Sequence, residues 1–535
     1  MKTNITRTTL LLVLAVLSAA PVWQVQAATI NSTYTGNGGD GLWSTAANWS
    51  PEIVPNNTPG QSFNVYVDAP DGVFQDIDVR ITSLAMAADD FSLIITFDSN
   101  FISSSTNLGA SNDLFGGGAI LALAPDTSVV CNLGALANFS GNALNGGNYI
   151  VVTEGPDPTV TANIRFNGAD VRTNNADVQF GGVGTTITDQ SGRDAFRHLQ
   201  RNGVNGIFYM EVGHNYTDQS SLVNEGEIDV VSEFGGLEAP TTMTINGDYT
   251  GVGYPLDAGT VGFAGVVAAG PTADAKMVIK GALTNYDPMT KTLHKSYFKW
   301  QAARGRSATT RVLGGSKPLD IVTSEAALLL FGPNTGLRDQ YGNDALRNLA
   351  VSARLLMGNR NFTTNGSFTS TNRLSVFGDS RFTVNGNLTT QSGFLEVSPL
   401  SGYVRNGDDG FPDPPYLSSA VLVKGNYNLL SNGSLRFHVL DHSATATISV
   451  AGTAVFCGSL QTAVQDISRV SSSDSFTVLT AGKITGQFSN VRSGERVDVY
   501  GGFDQFGTPV GDPVGSFLVT YNKTSLVLSD FQAAP

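Results

Sequence analysis

The segment DQSGRDAFRHL (Asp189–Leu199) is repeated 150 positions later as DQYGNDALRNL (Asp339–Leu349). The match extends backwards without a gap, so that residues 170–199 and 320–349 are identical at 12 of 30 positions. Several further positions exchange one apolar residue for another, and these alternate along the chain as in a strand with one buried face. A catalytic motif seldom needs a second copy, whereas a structural unit often has one. The duplication therefore predicts a repeated building block.

The duplicated unit continues beyond this match. NYTDQSSLVNEGEIDV (Asn215–Val230) corresponds to NFTTNGSFTSTNRLSV (Asn361–Val376) with small changes of length. The two copies therefore span about residues 165–253 and 315–393.

Both copies contain the pattern Asp-Ala-x-Arg-x-Leu, starting at Asp194 and Asp344. The pattern suits a short helical turn with the aspartate as N-cap. The alternative is a ligand-binding pair of aspartate and arginine, which we consider less favoured.

A shorter pattern, apolar-x-apolar-x-Gly-x-apolar, recurs along the chain as TINGDY (Thr244–Tyr249), VIKGAL (Val278–Leu283), TTNGSF (Thr363–Phe368), TVNGNL (Thr383–Leu388), LVKGNY (Leu422–Tyr427) and SVAGTA (Ser449–Ala454). The glycines predict left-handed residues at bends between strands. The third and fourth copies lie 20 residues apart, about one coil of a β-solenoid. We therefore expect an all-β right-handed parallel β-helix (β-solenoid) with irregular loops and a β-rich C-terminal cap. An array of β-sandwich domains is the alternative.

The composition agrees with an all-β chain. The 535 residues include 60 glycines and only 14% are charged, which favours strands joined by tight turns over helices. The formal charge is −14, and it becomes −16 when Lys2 and Arg7 are removed with an N-terminal leader. An acidic surface repels phosphate groups, so nucleic acid is not an expected partner.

The leader has the pattern of a secretory signal peptide over residues 1–27. Its two basic residues precede the apolar run LLLVLAVLSAA (Leu10–Ala20), and Val25-Gln26-Ala27 predicts cleavage after Ala27. We expect a secreted protein, extracellular or at the cell surface, with no transmembrane segment in the mature chain.

The mature chain divides by pattern into an N-terminal cap at 28–70, a solenoid at 71–460 and a β-rich closing region at 461–535. Its two cysteines, Cys131 and Cys457, are too few for a disulfide scaffold. We expect two separate buried thiols, with one long-range bridge as the alternative.

The order GADVRTNNADVQFGG, TDQSGRDAFRHL, NYT and INGDYT resembles repeats in large secreted and autotransporter-passenger-like proteins of environmental bacteria. GDGLWSTAANWSPEIVPN (Gly39–Asn56) is similar to the segment that opens many such passengers, and SFTVLTAGKITGQFSNV (Ser475–Val491) to one that closes them. The resemblance implies a parallel β-helix at the cell surface or outside the cell. The C-terminal barrel of an autotransporter is not found in the sequence, so self-export is not expected.

No catalytic, cofactor-binding or metal-binding residue is predicted. β-Helices also carry polysaccharide lyases and hydrolases, but neither Asp89-Asp90 nor Asp408-Asp409 precedes the Gly-His-Gly of the galacturonan-hydrolase type. Asp408, Asp409 and Asp413 form the densest acidic cluster, for which solvated charge is favoured over a loop calcium site. The histidines show no zinc-ligand spacing; they are His198, His214, His294, His438 and His442.

Trp43 and Trp49 have the chemistry to stack on sugar rings, although covering the open first coil is the favoured interpretation. The sequence therefore predicts a non-catalytic secreted or cell-surface protein with a structural or adhesive role. The alternative is a carbohydrate-active enzyme (a polysaccharide lyase or hydrolase) or a carbohydrate-binding module, and polysaccharide or cell-surface components are the expected partners. A groove lined by carboxylates and Lys or Arg would favour the alternative, whereas regular Asn and Thr ladders favour the structural role.

Overall fold

The chain is all-β, as the sequence predicts. The computed structural model describes residues 28–68, 72–87, 94–97, 99–109, 118–124, 126–153, 159–234, 236–252, 265–399, 418–440, 446–464, 466–503 and 508–535. The predicted signal peptide lies outside these residues. Within them there is no α-helix, and the helical turns are the 3-10 turns Ala46–Asn48 and Ile467–Arg469. No helix of the described part is long and apolar enough to cross a membrane.

The strands are numbered in chain order. Those up to the end of the first copy are β1 (Ala28–Tyr34), β2 (Trp49–Ser50), β3 (Gln61–Val67), β4 (Val73–Gln75), β5 (Val79–Met86), β6 (Ile94–Phe97), β7 (Phe101–Asn107), β8 (Ala119–Ala124), β9 (Val129–Asn132), β10 (Ala135–Leu136), β11 (Phe139–Ser140), β12 (Ala143–Thr153), β13 (Ala162–Arg165), β14 (Thr173–Gly181), β15 (Thr185–Thr188), β16 (Arg201–Asn202), β17 (Ile207–Glu211), β18 (Asn215–Asp218), β19 (Leu222–Asn224), β20 (Glu227–Val231), β21 (Glu233–Phe234), β22 (Leu237–Glu238), β23 (Thr241–Ile245) and β24 (Tyr249–Gly251).

The strands that follow are β25 (Val266–Ala269), β26 (Ala275–Ile279), β27 (Tyr286–Asp287), β28 (Thr292–Leu293), β29 (Tyr297–Ala302), β30 (Ser307–Val312), β31 (Thr323–Phe331), β32 (Asn334–Arg338), β33 (Val351–Gly358), β34 (Asn361–Thr364), β35 (Phe368–Phe377), β36 (Arg381–Val384), β37 (Leu388–Ser398), β38 (Ser419–Val423), β39 (Tyr427–Val439), β40 (Ala446–Phe456), β41 (Ser459–Val464), β42 (Ser475–Gly486), β43 (Arg496–Tyr500), β44 (Gly515–Tyr521) and β45 (Ser525–Ala533).

Most strands pair in parallel with a strand one repeat further along the chain. In the second copy, Phe362 of β34 pairs with Phe382 of β36, and Phe368 of β35 pairs with Leu388 of β37. Each passage of the chain therefore places like residues on like, which builds continuous columns of side chains. The C-terminal end differs, because β42, β43, β44 and β45 pair with one another in antiparallel fashion.

One parallel ladder positions the candidate site, and we call it the long ladder. It runs in register through β12, β14, β17, β20, β25, β29, β31, β33, β35, β37, β39 and β41. Every second side chain points into the main core, because side chains alternate between the two faces of a strand. One inward column consists of Phe180, Met210, Val230, Val267, Trp300, Leu330, Met357, Val376, Val397 and Phe437.

The glycine motifs lie at bends, but the predicted left-handed conformation is wrong, because none of the six motif glycines has a positive φ. At five of the six bends glycine is required because successive repeats approach each other closely; the exception is Gly366. A Cβ on Gly281 would lie 2.4 Å from the carbonyl oxygen of Gly247, and one on Gly425 would lie 2.8 Å from that of Gly386. The amide of Gly425 donates to this oxygen of Gly386 at 2.9 Å, so the bends stack directly on one another.

A buried polar column lies at a second bend, between the two halves of the long strands. The side chain of Asn174 donates to Asn202, which donates to Asn224, both at 2.9 Å between Nδ2 and Oδ1. All three amides are fully buried, and they line up because their strands pair in register. In the second copy the same bend holds small hydroxyl residues, Ser324, Ser352, Ser370 and Thr390.

The duplicated segments form the same loop. Asp189 Oδ1 accepts the backbone N–H groups two and four residues further on, at 2.8 and 3.0 Å, and Asp339 does so at 2.9 and 2.8 Å. Asp194 and Asp344 each accept the N–H group two residues further on, at 2.7 and 2.9 Å. These aspartates cap a turn as predicted, although the turn is not helical.

Candidate functional site

The side chains of the long ladder that point away from the core form a continuous outward face. We call its central line the outward column. In register it consists of Gln179, Tyr209, Asp229, Val266, Lys299, Leu329, Leu356, Ser375, Glu396, Arg436 and Gln461. Neighbours in such a column are one strand spacing apart, about 4.8 Å, so their side chains contact one another. The outward face around this column is acidic at the first copy and apolar in the middle, and it carries Arg373 and Arg436 at its far end.

A pair of carboxyl groups stands at the acidic end. Glu227 and Asp229 are alternate residues of β20, point to the same side and are hydrogen-bonded to each other. Two carboxyl groups share a hydrogen bond only when one of them carries a proton. Burial is the main cause that raises the pKa of both groups, and the charge of Lys299 opposes it. The pair therefore keeps one proton close to neutral pH.

Asp177 lies on the same face, two strands from Glu227 and in register with it through Ile207. The side-chain amide of Gln179 donates to both carboxylate oxygens of Asp177, at 3.2 and 3.0 Å. Burial raises the pKa of Asp177 to about 6.

Glu211 is the most enclosed of these acids. Its residue is 3% exposed, and its Oε1 lies 3.1 Å from the point where a Cβ of Gly181 would be. Its Oε2 is buried and has no hydrogen-bond partner. Burial alone raises the pKa of Glu211 to about 8, so the group carries a proton at neutral pH.

The middle of the outward face is apolar. Its side chains form a cluster separate from the main core, made of Tyr297, Ala327, Leu329, Phe331, Leu356 and Phe377. This cluster separates the acidic end from the arginine-rich end.

Glu396 is the centre of the arginine-rich end. Its Oε2 accepts from Arg373 Nη2 at 2.9 Å and from Ser375 Oγ at 2.7 Å, and its Oε1 contacts His438 Nε2 at 2.9 Å. Arg436 Nη1 lies 3.8 Å from the same Oε1. Burial opposes ionisation here, but the hydrogen bond from His438 and the charges of Arg373, His438 and Arg436 hold the pKa of Glu396 far below its usual range.

Aromatic rings fix the two arginines. The ring of Phe394 lies 4.8 Å from the guanidinium carbon of Arg373 and 4.0 Å from that of Arg436. Phe503 covers the other side of Arg436 at 3.9 Å. Arg436 also donates twice to Gln461 Oε1, at 3.1 and 2.7 Å. A network with this many mutual contacts is typical of a structural ionic cluster rather than an open ligand site.

The acidic end has the richer chemistry, because it combines a carboxyl pair holding one proton with a lysine in the same column. Access from solvent is restricted, since Asp177 and Asp229 are only 6% and 7% exposed. The arrangement therefore favours reactions among the protein's own side chains over reactions with a large polymer.

Several candidates from the sequence lie outside the described residues, namely Asp89, Asp90, Asp408, Asp409, Asp413 and His442. The remaining histidines each contact a different partner: His198 contacts Asp170 at 2.8 Å, His214 contacts Thr185 at 2.9 Å, His294 contacts Glu325 at 3.2 Å and His438 contacts Glu396. In the part of the chain that is described, no group of three or more His, Cys, Asp or Glu side chains is arranged to hold a metal ion.

Trp43 and Trp49, the two tryptophans considered for sugar binding, are buried. The indole N–H of Trp43 donates to the carbonyl of Pro55 at 3.1 Å, and that of Trp49 donates to the carbonyl of Trp43 at 2.8 Å. Their rings pack edge to face in the core, so they cover this end of the stack and present no face to a sugar.

Both cysteines are free thiols. Cys131 is buried as expected, but the expectation of a buried Cys457 is wrong, because this residue is exposed. Cys457 follows the last residue of β40, and the alternation of buried and less buried positions, which continues unbroken from Ala454 to Leu460, places it on the outer side.

Comparison of the chain with protein-family models, with curated proteins and with solved structures finds no match. The candidate site therefore stands on its own geometry. Sequence reasoning missed Glu227, Asp229 and Lys299. The alternation in GEIDV places the two acids on one face, but Lys299 is far along the chain and only the register of β20, β25 and β29 brings it beside them.

Proposed function

We propose that this chain is a secreted, non-catalytic right-handed parallel β-helix protein with a structural or adhesive role, similar to an autotransporter passenger. Parallel ladders at a regular shift support a β-helix over an array of sandwiches, whose strands pair in antiparallel fashion. The strong right-handed preference of connections between parallel strands supports the handedness.

The observation that carries this proposal is the buried column of Asn174, Asn202 and Asn224. These amides point inwards and bond to one another, so they serve cohesion between repeats and are not available to a ligand. Stacked repeats of this kind produce a long, rigid body, which suits a structural or adhesive protein.

The test uses the purified mature chain, residues 28–535, on a polysaccharide array with added calcium. Retention on the array and release of unsaturated or reducing ends are measured separately. Retention without released product supports an adhesive role. The absence of both retention and released product supports a structural role. Released product would overturn the non-catalytic proposal.

A carbohydrate-active enzyme is the second candidate, and the carboxyl pair of Glu227 and Asp229 beside Lys299 is the observation that favours it. A general acid and base pair is the usual equipment of such enzymes. If product is released, Glu227→Gln and Asp229→Asn should each abolish it, while Asp498→Asn, at the exposed position of β43, should leave it unchanged.

The secretory proposal is tested by N-terminal sequencing of the protein from the culture medium and from the cell surface. A mature protein that begins at Ala28 supports it. Retention inside the cell with Met1 intact would contradict it.

A further inference from the structure

Lys299 and Asp229 lie in the outward column on either side of Val266. Asp229 pairs in register with Val266, and Val266 pairs in register with Lys299. Their backbones are therefore two strand spacings apart, about 10 Å, and both side chains rise from the same face. A lysine side chain lying across Val266 reaches the carboxyl group of Asp229.

The carboxyl group of Asp229 is held as an electrophile. Its Oδ1 accepts the backbone N–H of Val266 at 3.1 Å, and the group is hydrogen-bonded to Glu227. The N–H group polarises the C–O bond and stabilises negative charge that develops on Oδ1. Glu227 supplies a proton to the other oxygen, which makes that oxygen a better leaving group.

The surroundings limit the access of water: Asp229 is buried, and Glu227 and Lys299 are half-buried. Ile207, Val266, Tyr297 and Leu329 are buried on the same face and border the carboxyl pair and Lys299. Limited access of water favours condensation over hydrolysis of the product. The charge of Lys299 acts on both carboxyl groups, which places its ammonium group within electrostatic range of them.

We propose that Lys299 and Asp229 form an intramolecular isopeptide bond between Nζ and Cγ, with Glu227 carrying the proton. The ammonium group of Lys299 first gives one proton to Asp229 Oδ2, and the neutral amine attacks Cγ. Glu227 donates its proton to the departing Oδ2 and takes one from the nitrogen. One N–C bond forms, one C–O bond breaks and one water leaves, so no oxidant or other reactant is needed and Glu227 ends protonated as it began.

The bond joins β20 to β29 across β25, and therefore locks three consecutive strands of the long ladder together. Such a cross-link prevents these repeats from separating under force or during partial unfolding. This inference goes beyond the proposed function, because the bond can form whether or not the chain binds a polysaccharide.

The first test is the intact mass of the purified full-length mature chain under denaturing conditions. The expected mass is lower than the sequence mass by one water. Trypsin should then fail to cut after Lys299, and peptide 296–304 should be found joined to peptide 202–276. A folded wild-type chain with its full sequence mass and normal cleavage after Lys299 would overturn the proposal, independently of any result on polysaccharides.

Variants assign the roles. Lys299→Arg and Asp229→Ala should each restore the full mass, and Glu227→Gln should slow formation of the bond by about a hundredfold or more. Lys276→Arg, at the exposed position of β26 in a different ladder, is the matched control and should keep the mass deficit. A deficit that survives in Lys299→Arg would place the bond elsewhere and contradict the assignment.

Discussion

The two copies of the duplicated unit share a loop and differ in what surrounds it. In both, a threonine hydroxyl, of Thr185 or Thr335, donates to a glycine carbonyl three residues earlier at 2.9 Å. In the first copy Thr185 contacts the ring of His214, whereas in the second Thr335 contacts the guanidinium of Arg360 at 2.8 Å. The same backbone scaffold thus accepts a neutral or a charged buried partner.

The outward faces of the copies differ more. Asp177 and Gln179 of the first copy correspond to Ala327 and Leu329 of the second, 150 positions later. A further exchange concerns size. Glu211 fills the space over Gly181, whereas Phe331 fills the space over Gly358. The Cδ1 atom of Phe331 lies 2.7 Å from the point where a Cβ of Gly358 would be. Inward residues and loops carry the stack and are retained, while outward residues diverge, so copy-specific chemistry lies on the outward face.

Arg360→Ala is the substitution that we expect to reveal the largest difference in stability between the two copies. Arg360 is almost fully buried, donates to Asp344 Oδ2 at 3.0 Å and supports Thr335. Its removal takes away the shorter of two arginine contacts to that carboxylate, leaves Arg338 at 3.5 Å and opens a cavity, and we expect a loss of about 4 kcal/mol in the free energy of local opening. Hydrogen exchange of peptides covering 334–364 measures it. His214→Ala, in the first copy, is the control. We expect it to lower the free energy of local opening by about 2 kcal/mol because of the cavity that it leaves. An equal loss in both variants would contradict the charge-based account.

Glu211 should make the stability of the first copy fall as the pH rises from about 4.5 to 8. Its pKa in the folded chain, about 8, is above the ordinary value of 4.5, so its stabilising contribution is complete below about pH 4.5 and is lost as the pH rises through 8. The loss between pH 5 and 9 is about 4 kcal/mol. Glu211→Gln should remove this part of the pH dependence from exchange in 201–218 and leave the part that is due to Asp218, whose pKa burial raises to about 7, with 351–364 as the internal control. An unchanged slope in the variant would sink the assignment.

The stacked bends should respond alike in both copies. Gly247→Ala and Gly386→Ala place a Cβ 2.5 Å from the amide nitrogen of Ser221 and 2.6 Å from that of Ser367. We expect each substitution to lower the free energy of unfolding by about 2 kcal/mol. The two variants should therefore show similar decreases in Tm. Gly366→Ala is the control, since no atom lies within 4 Å of its Cβ, and a Tm equal to that of Gly386→Ala would show that close approach is not the reason for glycine.

The asparagine column of the first copy and the hydroxyl column of the second should differ in their contributions to the free energy of unfolding, by less than in the predictions above. Asn202 Nδ2 lies between two asparagines and donates to Asn224 Oδ1, so Asn202→Ala should cost about 1.5 kcal/mol. The hydroxyl of Ser352 has no hydrogen-bond partner, so Ser352→Ala should change stability by less than about 0.5 kcal/mol. Urea denaturation of both variants measures the difference, and similar losses would show that the two columns are equivalent.

The sequence was sufficient for features that depend on near neighbours in the chain. The alternation of apolar residues predicts strands, and the repeated Asp-Ala-x-Arg-x-Leu pattern predicts a turn capped by Asp194 and by Asp344, which the structure shows without the helical conformation. The reason for glycine at the bends was not predictable, because the carbonyl of Gly386 that excludes a side chain at Gly425 belongs to the previous repeat.

The sequence by itself determined that this protein is all-β and built from a duplicated unit, because strand alternation and turn-forming hydrogen bonds are local properties. Only the tertiary structure decided which polar residues meet. The register of β20, β25 and β29 places Asp229 and Lys299 in one column, and burial on that face changes the protonation of Glu227. Side chains far apart in the chain acquire a shared environment only when strands pair, so their chemistry is a property of the packed ladder.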